Sequence, residues 1–184
     1  MENQPTPPEP NRQADRRDRA NALALIEASA VMTLAVTTAQ GPWAAPVYYV
    51  YRPADTGFYF FSSPESRHVA AAVEQGACSA VIFQPAPSLE TPLPETLAPE
   101  TDPWQEICGL QMRGALAPAR PVAGLKALAR YLKKFPFSHG LLPVGKDRLQ
   151  LIQARLGVRL YAFRADHVEW TDNRVRFGYR RSLA

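Results

Sequence analysis

Several polar side chains fall within one short stretch of this chain. Ser62, Ser63, Arg67 and His68 lie in FSSPESRH, between an aromatic run and the alanine-rich segment VAAAV. Ser62 with Glu65 fits a capping box. Ser63 with Pro64 fits an N-cap followed by proline at the first helical position. Either pairing predicts a helix that starts here and carries Ser66, Arg67 and His68 in its first turn. The N–H groups at such a start have no internal partners and sit at the positive end of the helix dipole. Two hydroxyls, a guanidinium and an imidazole at that place are the groups a phosphate needs. The alternative is a capped surface helix whose charges face water.

The elements around this stretch have to hold it in place. Phe58-Tyr59-Phe60-Phe61 is the strongest strand signal in the chain, and its unbroken apolarity predicts a strand covered on both faces. Val31 to Thr38 alternates and puts Met32, Leu34 and Val36 on one face. After the turn Gln40-Gly41-Pro42, a second strand runs from Trp43 to Tyr51. Trp43, Ala45, Val47, Tyr49 and Tyr51 share one of its faces. Pro46 cannot donate to a ladder, so an edge or irregularity is expected there. Ala77 to Phe83 and Trp104 to Ala117 read as two further strands. In the second of these, Gly109 and Gly114 mark a bulge or a close approach, and Gln111 and Arg113 are polar among apolar neighbours.

Pro121 to Lys134 is the clearest amphipathic helix, with Val122, Leu125, Leu128, Ala129 and Leu132 predicted to face the core. Asn21 to Ala30 and Asp147 to Ala154 are shorter helices. Val158 to Phe163 is a strand, and His167–Thr171 with Val175–Phe177 is a hairpin turning at Asp172-Asn173. Residues 1–20 are polar, proline-rich and charged, and are expected to be a loose tail. Residues 85–103, rich in proline and acids, are expected to form a long surface loop. The remaining chain, 21–184, is expected to be a single domain. Short strands joined by turns predict an antiparallel, mainly β, α+β domain closing its own edges as a barrel.

Bulk properties narrow the function. The 184 residues suffice for a substantial core, and 46% apolar content is ordinary for a globular protein. The net charge is +4 and no nucleic-acid recognition motif accompanies it, so no nucleic-acid partner is expected. No run reaches the length of a membrane span, and no secretory signal opens the chain. Cys78 and Cys108 lack CxxC spacing, which favours reduced, buried cysteines in a cytoplasmic protein over a metal site. His139 and His167 have no partners in sequence and are expected at the surface.

The order of these motifs resembles the split-barrel flavoproteins related to pyridoxamine 5′-phosphate oxidase, and most closely the small bacterial proteins of the YhbP type. MTLAVTT followed by GPWAAPVYYVY is similar to the family's opening hairpin. FYFFSSPESRHVAAAV resembles its phosphate turn and helix, GLQMRG its long strand, and EWTDNRVRFGYR a terminal hairpin. The resemblance runs from about Leu23 to Arg180 and implies a Greek-key split β-barrel with a few peripheral helices. It further implies FMN held between the two subunits of a homodimer.

On that resemblance, Ser62, Ser63, Arg67 and His68 hold the FMN phosphate, with histidine standing where many relatives have lysine. Pro46, Val47 and Tyr48 lie along the isoalloxazine ring, Gln111 meets it, and Trp170 covers it. The implied activity is FMN-dependent redox chemistry on a small molecule. The arginine and histidine pattern that binds substrate in pyridoxamine 5′-phosphate oxidase has no counterpart in the C-terminal segment, so that activity itself is not expected. The alternative is a binding or carrier protein without turnover, whose cleft, lined by Tyr48, Phe61 and Trp170, takes flavin, a deazaflavin or haem.

Overall fold

A computed structural model describes residues 12–83, 103–140 and 148–183. Seven antiparallel strands follow the order β3-β2-β1-β4-β5-β6-β7: β1 (Val31–Thr38), β2 (Gly41–Arg52), β3 (Gly57–Ser62), β4 (Cys78–Phe83), β5 (Cys108–Pro118), β6 (Arg159–Asp172) and β7 (Arg180–Ser182). An additional β3–β6 pairing closes the first six into a ring. β6 makes this possible by its length. Its first half pairs with β3 from Ser62–Arg159 to Gly57–Arg164, while its second half pairs with β7. β5 runs beside both halves, with a register shift at Arg113/Gly114. A Cβ on Gly114 would stand 2.0 Å from the Arg164 carbonyl oxygen, so only glycine lets the two strands approach there.

Side chains that alternate inward fill the ring: Met32, Leu34 and Val36 from β1, Val47 and Tyr49 from β2, Phe58 and Phe60 from β3, with Ile82, Leu110, Met112 and Phe163 opposite. Two helices close its ends. α1 (Arg12–Ala28) brings Ala22, Leu25 and Ile26 to the end where β1 begins, and α2 (Arg67–Gln75) brings Val69, Ala71 and Ala72 to the other. α3 (Pro121–Lys134) packs outside, where Ala127, Tyr131 and the following Phe135 meet Val50, Tyr59, Leu160 and Ala162. β3 is therefore covered on both faces, as its aromatic run predicts. α4 (Arg148–Leu156) precedes β6.

Several expectations need correction. The chain is helical from Arg12, so residues 12–20 are no loose tail: Asp18 is fully buried and accepts a hydrogen bond from Tyr179 Oη at 2.5 Å. Residues 1–11 and most of the proposed 85–103 loop lie outside the described residues. α2 starts at Arg67 behind Ser66, and neither predicted cap forms. α3 is rotated from the predicted face. Val122 and Leu125 are exposed, while Gly124, Ala127, Leu128 and Tyr131 are buried, because a Cβ-free surface at Gly124 admits Leu149 and Leu160. Residues 159–163 and 167–171 belong to one strand. Val175–Phe177 is a turn held by Asp172 and Asn173, so the partner strand of the hairpin begins at Arg180. Trp104 sits in a 3₁₀ turn ahead of β5.

Candidate functional site

β3 delivers Ser62 to the mouth of α2, and a tight turn does the rest. The Ser66 amide and hydroxyl both donate to the Ser63 carbonyl, at 3.1 and 2.8 Å. The Glu65 amide donates to Ser63 Oγ at 3.2 Å, which ties that hydroxyl into the turn. Ser62 Oγ then lies 2.9 Å from His68 Nε2 and 3.0 Å from Ser66 Oγ, and Ser66 Oγ lies 3.4 Å from the same ring nitrogen. Two hydroxyls and an imidazole thus converge on the first turn of α2. Ser62 is buried and His68 half-buried, and burial lowers the His68 pKa, which favours the neutral ring. Arg67 supplies the formal charge: its guanidinium lies over the Trp43 ring, 4.3 Å from the centroid. The register places Arg159 opposite Ser62.

Beside this cradle runs β2. Val47 points into the barrel, so only its backbone is presented outward, while Pro46 and Tyr48 are exposed. Pro46 lies beyond Tyr49–Phe60, the last β2–β3 pair, where β1 is its neighbour; this is the edge its missing N–H requires. Tyr48 sets its ring edge-on against Phe135 and Phe137, at 5.3 and 5.7 Å, and Phe61 does the same against Tyr131 at 5.1 Å. An aromatic shelf therefore follows the cradle along the outer side of β2 and β3.

The outer face of β1, β4 and β5 carries no described helix. Register pairs align Pro46, Thr33, Val81, Gln111 and Glu169 in one row across five strands. The next row is Ala44, Ala35, Ser79, Arg113 and His167. Gln111 is exposed and accepts a hydrogen bond from Thr171 Oγ1 at 3.1 Å. It shares the sheet face with Pro46 but lies three strands away, roughly 14 Å at ordinary strand spacing.

Trp170 does not join the site. It is fully buried at the α1 end of the ring, eleven residues along β6 from the position that pairs with Ser62. Its Nε1 has no hydrogen-bond partner, and the ring lines a groove of about 460 Å³ beneath α1. A core indole there cannot cover a ligand at the opposite end. The residues that sequence reasoning passed over are Trp43 beneath Arg67, the shelf residues Phe135 and Phe137, and Ser66 as a member of the cluster. Ser66 had a signal, its place three residues after Ser63. The others depend on contacts made across the fold. Among the described residues no group of three or more histidines, cysteines or acids could hold a metal ion.

The ring of six strands with helix-closed ends is a split barrel, and solved structures share it. A haem-binding protein from Mycobacterium smegmatis superposes with a TM-score of 0.58 at 19% identity, covering 95% of this chain and 58% of its own. The haem storage protein HutZ from Vibrio cholerae gives 0.53 at 13%, covering 80% and 89%. An FAD-binding protein from Mesorhizobium loti gives 0.51 at 15%, covering 81% and 90%. At these identities the likeness is one of fold. Residues 18–91, which contain both the cradle and the Pro46–Tyr48 segment, match a family model described as pyridoxamine 5′-phosphate oxidase. Over those residues the chain is similar to the family of proteins related to that oxidase. No curated protein sequence matches it.

Proposed function

We propose that the protein is an FMN-binding flavoprotein that performs redox chemistry on a small molecule at a homodimer interface. The observation that carries this reading is the cradle itself. Ser62, Ser66, Arg67 and His68 gather donors at the start of α2, on the rim of a sheet face with no described cover. These residues suit a flavin phosphate, and the exposed backbone of Pro46–Val47–Tyr48 suits a flat ring. A second copy laid on the uncovered face would bring its Gln111 to that ring. When bound, the flavin supplies the electron or hydride chemistry. The side chains bind the phosphate, hold the ring and narrow the approach of water. No described pair of residues forms an acid–base couple beside Tyr48, so the protein's part is positioning.

The test is an absorption spectrum of the purified protein after loading with FMN and removing the excess. Retention of a band near ~450 nm supports the reading. Arg67→Ala is expected to weaken FMN binding by about 1.5–3 kcal/mol, the range for a charge-assisted phosphate contact. Bleaching of the bound flavin by a nicotinamide donor, and its return with an acceptor, distinguishes an enzyme from a carrier. Retention of haem or a deazaflavin with no retention of FMN would replace the flavin reading with the carrier reading.

A further inference from the structure

The cradle is poor in charge for a phosphomonoester. A monoester carries between one and two negative charges at neutral pH, with a second pKa near 6. Against it stand two hydroxyls, the neutral imidazole of His68, and one guanidinium, that of Arg67, already drawn over Trp43. Among the described residues, burial alone lowers the pKa of the imidazole. The groups that face it are Ser62 from the end of β3 and Ser66 from the turn. Below it, α2 meets the barrel through Val69, Ala71 and Ala72, which are apolar. Arg159, opposite Ser62 on β6, is exposed. Glu65, in the same turn, is exposed, and among the described residues no carboxylate hydrogen-bonds the imidazole, so an anion placed here would meet it in a half-buried place where the attraction between anion and imidazolium is strong.

We propose that His68 admits a phosphomonoester by taking up a proton, so that FMN binding is coupled to protonation while binding of a phosphodiester flavin is not. The inference rests on the flavin-phosphate reading of the cradle. In proton terms, a dianionic monoester and a neutral His68 enter, one proton comes from solvent, and the complex holds an imidazolium against the dianion. A phosphodiester such as each phosphate of FAD carries one charge, which Arg67 alone balances. A lysine at position 68 would stay charged without taking up a proton.

The experiment measures FMN, FAD and riboflavin dissociation constants of the whole protein between about pH 6.5 and 8.5. The FMN constant is expected to rise close to tenfold per pH unit at the alkaline end, the slope of one linked proton, while the FAD and riboflavin constants change less than about twofold. His68→Lys is expected to flatten the FMN profile and hold affinity at high pH. As a readout independent of that variant, the His68 ring titration followed by NMR should move to higher pH when inorganic phosphate is added. FMN that binds with a flat profile, or a ring titration that phosphate leaves in place, overturns the inference alone. Failure of FMN to bind at any pH overturns the flavin reading together with it.

Discussion

Ser62 sits at the centre of the cradle's hydrogen bonds, touching both Ser66 and His68. Ser62→Ala should therefore weaken FMN binding by about 1 kcal/mol, the net worth of a neutral hydrogen bond, measurable by fluorescence titration. His68 also bears on stability. Burial holds its folded pKa below the ordinary 6.5, so the unfolded chain takes the proton more readily. Stability is full above about pH 6.5 and falls as the pH drops through the folded value. Urea unfolding at pH 7.5 and 5.5 should show this loss in the wild type and a smaller one in His68→Asn. The convergence of these side chains was readable in sequence because Ser62 to His68 is a local segment, and a strand, a turn and a helix start suffice to gather it. Trp170 was not readable. Whether an aromatic on a long strand points inward depends on the strand's phase, and β6 runs past a register shift that no local pattern reveals.

α1 shows the same limit at the scale of an element. Its first half, RQADRRDRA, has the charge balance of a solvated tail. It is helical because Asp18 finds the Tyr179 hydroxyl 2.5 Å away and lies between Arg17 and Arg181, at 3.0 and 3.6 Å. Two of these partners come from the other end of the chain, so nothing near Asp18 in sequence announces them. Asp18→Ala should cost about 1–3 kcal/mol, since it removes a buried carboxylate and leaves the half-buried Tyr179 hydroxyl and Arg181 without it, and removal of residues 1–20 should cost at least as much. Thermal unfolding would measure both. Elements whose partners are next in sequence were read well: β1 with β2, and the aromatic β3. α3 was placed correctly but turned about its axis, because the packing face is set by a glycine that takes Leu149 and Leu160 rather than by the largest apolar residues.

At the scale of the molecule, no described helix covers the outer face of β1, β4 and β5, where half-buried Val81 stands at the centre of its row. If a second copy covers that face, Val81→Arg should yield a monomer in sedimentation and lose flavin in the same preparation, while the far-ultraviolet spectrum stays that of the folded barrel. A charge at the centre of a buried interface has no water to face. The closure of the ring by β6 also has a consequence for how the protein is made. The strands β1 to β5 leave the ribosome first, yet β3 and β5 each wait for β6, which is separated from β5 by two helices. During synthesis the nascent sheet therefore exposes two unpaired aromatic and aliphatic edges until about residue 165 emerges. A chain stalled or cut before Arg159 should collect in inclusion bodies, and holding chaperones should matter most in that interval.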